Sequence, residues 1–217
     1  MTEAVILLHG LGRSAVAMLP MAWRLRRAGY TVINQGYPSR RHSVQALAER
    51  TLPMALEKAQ ATSPTKIHFV THSMGGILLR CWLQAHPLPR PGRAVMLAPP
   101  NQGSELVDHV RRIPLFEKIM GPASVQLGTG DDSVPRQLAP VDAEIGVITG
   151  TRRYSPWLDP LFGDQHDGKV SVHSARLAEM ADFRVMDVGH TFIMADSAVT
   201  QEVLHFLRHG CFMPSAG

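Results

Sequence analysis

The chain has 217 residues, 45% of them apolar and 18% charged, with a formal net charge of +4. A chain of this length buries about 70% of its unfolded surface, which excludes the small folds that need a disulfide or metal staple; its two cysteines, Cys81 and Cys211, make no disulfide framework. The arginines are scattered in short groups from Arg24 to Arg153 without aromatic interleaving, which argues against a nucleic-acid partner, and no apolar run is long enough to span a membrane.

Ala4 to Leu8 is a continuous apolar run of strand length, the mark of a strand covered on both faces. No signal peptide precedes it, so the expected location is cytoplasmic. The run ends in His9-Gly10-Leu11-Gly12, where glycines allow the backbone to approach a ligand closely. Apolar positions from Ser14 to Ala28 recur at helical spacing, with Pro20 opening the main helix and Gly29 closing it. Tyr30 to Asn34 reads as a second strand. Ser43 to about Ala61 reads as a second helix, kinked or broken at Pro53. Lys66 to Thr71 is the third strand, and it meets Ser73 and the pair Gly75-Gly76 before Ile77 to Gln84 resume helical spacing. This alternation predicts a parallel sheet with right-handed crossovers.

Arg93 to Ala98 is the fourth strand, followed by Pro99-Pro100-Asn101-Gln102-Gly103-Ser104, with Ser104 as the N-cap of a helix to about Arg112. The connection from about 104 to 144 is rich in proline and glycine; Asp131-Asp132 within it reads as a solvated pair rather than a cation site. Glu144 to Gly150 is the fifth strand. A loop carrying Tyr154, Trp157, Leu158, Leu161 and Phe162 follows, and these side chains are expected to pack on the body or line a pocket. A helix is expected from about Ser174 to Met180, a sixth strand over Phe183 to Val188, and a last helix from Ser197 to His209. His205 and His209 lie four apart on that helix, but with no third ligand nearby they read as a solvated face.

Thr71-His72-Ser73-Met74-Gly75 resembles the nucleophile elbow of the α/β-hydrolase superfamily, with Thr71 where the GxSxG pattern has glycine. The His9-Gly10 pair after the first strand, and the proline-to-serine loop after the fourth, are similar to those of bacterial lipase-like esterases. The resemblance covers nearly the whole chain. It implies one α/β domain over 1–217, a doubly wound, mostly parallel sheet of about six strands with helices on both faces, and a small cap-like connection around 104–144.

The resemblance also implies a set of roles. Ser73 would be the nucleophile, His190 the base and Asp167 the acid, in the chain order of that superfamily, with the amides of Leu11 and Met74 as the oxyanion hole. Asp159 and Asp164 are reserves for the acid, and Asp187 is too near His190 along one strand end. The implied activity is hydrolysis of short- to medium-chain carboxylic esters, small-molecule substrates, without cofactor or metal; a true lipase, or a thioesterase or amidase with the same triad, is the alternative. The short connection predicts an open site without a mobile lid, walled for the acyl chain by Trp157, Leu158, Leu161 and Phe162.

Overall fold

The computed structural model describes residues 2–87, 90–153 and 156–214. Strand β1 (Ala4–Leu8) lies inside a six-stranded parallel sheet of order β2-β1-β3-β4-β5-β6. All five of its side chains are fully buried. Ala4, Ile6 and Leu8 enter one core, Val5 and Leu7 the other, as the two-residue period of a strand requires. That is why the run is apolar throughout.

Helix α1 (Leu19–Arg27), entered through a short 3-10 turn at Ala15–Met18, carries Pro20 in its first turn and returns the chain to β2 (Thr31–Gln35). Helix α2 (Val44–Gln60) is capped by Ser43, whose hydroxyl accepts from Ala46 N at 3.3 Å. It runs unbroken through Pro53, contrary to the expected interruption. Pro53 is exposed, and Leu52, Ala55, Leu56 and Ala59 around it are buried against the sheet; burying such side chains contributes about 1.5–3 kcal/mol for each large one, against about 3 kcal/mol for an interior proline.

Strand β3 (Ile67–His72), helix α3 (Met74–Leu83) and strand β4 (Pro91–Leu97) follow. The 104–144 connection holds four short helices, α4 (Glu105–Val110), α5 (Phe116–Met120), α6 (Pro122–Val125) and α7 (Val134–Gln137). Gln126 ties it to α2, its Oε1 accepting from Val44 N at 2.8 Å. Ser104 stands at the N-cap position of α4, yet its hydroxyl donates to Lys169 O at 2.7 Å instead of capping the helix.

Strand β5 (Glu144–Gly150) leads to the loop region and then to α8 (Val172–Ala175), which is shorter than the expected Ser174–Met180 helix. The cause is long-range: the carbonyls of Ser174, Ala175 and Arg176 accept from Gln102 N, Asn101 Nδ2 and Gln102 Nε2, so the loop after β4 caps the helix where the local pattern would continue it. Strand β6 (Asp182–Met186) and helix α9 (Ser197–His209) complete the chain, with Asp196 accepting from Ala198 N and Val199 N at the helix start. Among the described residues, no helix is long and apolar enough to cross a membrane.

The strand order reverses between β1 and β3. From β1 the chain moves outward to β2, and from β3 it moves the other way through β4 to β6. Such a switch leaves a crevice above the carboxyl ends of the two strands, where ligands bind in doubly wound sheets. Leu11 leaves β1 and Ser73 leaves β3 at that place.

Candidate active site

Ser73 joins β3 to α3 with φ 52° and ψ −124°. A non-glycine residue in such a conformation costs on the order of 1–3 kcal/mol and persists where its surroundings hold it. Here Ser73 N donates to Leu97 O at 2.8 Å and Ser73 O accepts from Gly76 N at 2.9 Å. The turn also needs bare backbone beside it. A Cβ on Gly75 would stand 2.7 Å from Leu8 O and 2.8 Å from His9 O, so β1 and the start of α3 approach as only glycine allows. Thr71, at the position where the pattern favours glycine, is fully buried with its Oγ1 facing Gly76 and without a protein partner. The missing side chain at Gly76 makes the room that threonine takes.

His190 lies beyond β6, 4% exposed, and its Nε2 is 3.1 Å from Ser73 Oγ. Its Nδ1 is 2.8 Å from Asp167 Oδ2, and its backbone N donates to Asp167 O at 3.1 Å. The carboxylate can only accept when ionised, so Nδ1 carries the proton and Nε2 is left as an acceptor toward the serine hydroxyl. Asp167, 1% exposed, is held by Lys169 N at 3.0 Å and Val170 N at 2.9 Å, both donating to Oδ1. Each carboxylate oxygen thus has donors, which an anion buried this deeply requires.

The other carboxylates considered from sequence lie elsewhere. Asp187 pairs with Arg152 at 2.7 Å, Asp159 with Arg153 at 2.7 Å and with His166 at 3.1 Å, and Asp164 accepts from His173 N at 3.1 Å. Leu11 lines the same cavity as Ser73 and His190, and Met74 opens α3 directly after Ser73, where first-turn amides and the helix dipole face the serine.

That cavity encloses about 210 Å³. Its apolar wall comes from the connection: Leu106, Val107, Val110, Phe116, Met120 and Leu127. The expected wall is therefore corrected. Trp157 is 74% exposed, and Phe162 stacks on His166 with ring centroids 3.9 Å apart; neither they nor Leu158 and Leu161 line the cavity, and Tyr154 lies outside the described residues. Among the described residues, no group of three His, Cys, Asp or Glu side chains is arranged to hold a metal ion.

No protein-family model matches the chain, and neither does any curated protein. Solved structures do. A lipase of Bacillus licheniformis in mature form is 20% identical, with a TM-score of 0.72, over 95% of this chain and 91% of the other. Phospholipase PlaB of Legionella pneumophila is 19% identical, with a TM-score of 0.69, over 94% of this chain and 57% of that one. A monoacylglycerol lipase of Paleococcus ferrophilus is 16% identical, with a TM-score of 0.59, over 95% and 94%. The chain has the α/β-hydrolase fold.

In an α/β-hydrolase fold a residue gains weight from what it holds, and two histidines not singled out from sequence gain it here. His72 is 2% exposed, and its Nε2 donates to His190 O at 3.0 Å. Burial, then the neighbouring His190, hold its pKa well below the histidine range, so it stays neutral. His166 accepts from Gly168 N through Nδ1 and meets Asp159 through Nε2, bracing the loop that carries Asp167. Both are direct sequence neighbours of candidate catalytic residues, which is the one sequence signal they offer.

Proposed function

We propose that the protein is a serine carboxylesterase that forms an acyl-enzyme on Ser73. The observation that carries this reading is the continuous relay from Ser73 Oγ through His190 to Asp167, at 3.1 and 2.8 Å. A serine hydroxyl is a weak nucleophile until an imidazole removes its proton. His190 takes the proton as Ser73 attacks the carbonyl, and Asp167 stabilises the imidazolium. The amides of Leu11 and Met74 receive the oxyanion, the second with the dipole of α3 behind it. His190 returns the proton to the leaving alcohol, and a water then repeats the sequence to release the acid. The names of the similar structures, a lipase, a phospholipase and a monoacylglycerol lipase, support ester hydrolysis.

Chain length follows from volume. A cavity of about 210 Å³ falls below the roughly 300–1,000 Å³ of sites that enclose drug-sized ligands, which favours short- to medium-chain acyl groups. A fluorophosphonate should label Ser73, and nitrophenyl esters should be hydrolysed with the optimum at short or medium chains. Absence of labelling at Ser73 in folded protein overturns the reading. One observation favours a true lipase as the second reading: Ile113, Leu115 and Ile119 on the connection are more than half exposed, an apolar surface beside the cavity. A rate jump above the solubility limit of the substrate would decide for the lipase.

A further inference from the structure

A second, open cleft of about 620 Å³ adjoins the apolar cavity; Val16, Ala17 and Pro38 give it apolar surface too, but it carries three arginines. Arg13, Arg40 and Arg41 line it, with Gly12, Tyr37 and Ser39 as its floor, and no carboxylate contributes. The two spaces meet at Gly12 and Arg13. Arg13 lines both, and a Cβ on Gly12 would stand 3.3 Å from Met120 Cε of the apolar wall and 3.4 Å from Arg40 Nη2. Lys169 adds a fourth cation at the rim of the apolar cavity. Among the described residues none of the four is paired with a carboxylate. The guanidinium contacts present are long and reach main-chain carbonyls: Arg13 Nη2 to Thr191 O and Arg40 Nη2 to Gly12 O, each 3.5 Å. A floor fixed by Gly12 N donating to Ser39 Oγ at 3.0 Å holds the cleft open between the two arginine-bearing segments.

Clustered guanidinium groups without counter-charges, beside a focused low-dielectric wall, attract an anion and present forked donors that match phosphate oxygens two at a time. We infer that the substrate is an acyl ester whose alcohol carries a phosphate group, with the acyl chain in the apolar cavity and the phosphate in the Arg13, Arg40 and Arg41 cleft. This rests on the esterase reading and narrows it to a substrate class. The larger space takes the alcohol side because Arg40 and Arg41 are there, and the smaller takes the hydrocarbon because most of its lining is apolar. The carbonyl then sits at Ser73, within the apolar cavity, and the alcohol reaches the arginines past Arg13, which lines both spaces.

The test compares 1-hexanoylglycerol with its 3-phosphate, both below their aggregation limits. Charge-assisted hydrogen bonds contribute about 1.5–3 kcal/mol each, so the phosphorylated ester should be preferred roughly tenfold to a hundredfold in kcat/KM. The ratio should shrink toward one in 0.5 M salt, where screening reaches within a few ångströms, and in the Arg40→Gln, Arg41→Gln double variant. Inorganic phosphate should compete with the phosphorylated ester; activation without competition would make the anion a separate effector and overturn the substrate assignment, as would stronger competition by acetate. A ratio near one in wild-type protein overturns the inference and leaves the esterase reading intact. Hydrolysis of neither ester, with no fluorophosphonate adduct, overturns the esterase reading. The cleft is then decided by calorimetry with glycerol 3-phosphate: saturable binding that the double variant loses supports it, and no binding refutes it.

Discussion

The imidazole of His72 donates from Nε2 to the main-chain carbonyl of His190, across 118 positions of sequence, at 3.0 Å. The rings lie 5.0 Å apart at 53°, so the residue before Ser73 fixes the backbone that presents the candidate base. Serine and histidine are thereby located by one another's neighbours, and an error in one strand end is shared by the other.

His72→Phe keeps the bulk and deletes the donor. We expect kcat to fall about fivefold to tenfold, the value of one hydrogen bond in positioning, with little change in KM. His72→Gln, which retains a donor, should recover part of the loss. Equal kcat for wild type and His72→Phe in a steady-state assay would show that the bond does not position His190.

Ser73→Ala should lower ester turnover about a thousandfold or more, and Asp167→Asn up to about ten-thousandfold, both with the circular dichroism of the folded protein. Asp159→Asn and Asp164→Asn should cost far less, since their carboxylates face Arg153, His166 and His173 rather than His190. Parallel kcat/KM measurements decide it. A loss at Asp159 or Asp164 exceeding that at Asp167 would move the acid.

Acid should unfold the protein earlier than its carboxylates alone require. His9, His68 and His72 are all held below the usual histidine pKa, in each case chiefly by burial. Below about pH 6.5 the unfolded chain takes up protons at these sites that the folded chain refuses, so stability is present above that pH and lost as pH falls toward the folded values. Each site contributes a slope of up to about 1.4 kcal/mol per pH unit within its window. Urea midpoints at pH 7.5, 6.5 and 5.5 should fall in that order, and a flat series would show that these histidines are protonated in the fold.

Phe116→Ala should lengthen the preferred acyl chain, because Phe116 belongs to the cavity wall. Each additional buried methylene contributes about 0.8 kcal/mol, or about fourfold in kcat/KM, until the enlarged space is full. A nitrophenyl ester series compared with wild type should shift its maximum by one or more carbons. Trp157→Ala should leave the maximum in place, as Trp157 points to solvent.

The strands were legible because burial on both faces writes itself into an uninterrupted apolar run, as in Ala4 to Leu8. The turn at Ser73 was legible because a strained turn needs Gly75 and Gly76 beside it, and chain order put forward Asp167 and His190, whose side chains the structure brings within 2.8 Å of one another, with His190 3.1 Å from Ser73. What could not be read depends on partners distant in sequence. Nothing near Ser174 announces that Asn101 and Gln102 will take its helix carbonyls. Nothing in Trp157 to Phe162 says that those rings turn away from the cavity, for a loop without periodicity has no readable face. Ser104 had the right position for a cap and the wrong neighbour, since Lys169 O lies within reach of its hydroxyl.

The connection over the cavity is anchored by backbone against backbone. A Cβ on Gly103 would lie 2.0 Å from Gly128 O, and one on Gly121 1.8 Å from Arg40 O. Both glycines have positive φ, so their replacement is resisted twice over. The anchors are thus separate from Val107, Val110, Phe116 and Met120, whose side chains form much of the wall. An engineer, or a drifting lineage, can exchange those four for other apolar residues and retailor the substrate range while the path of the chain above Ser73 stays where the two glycines pin it.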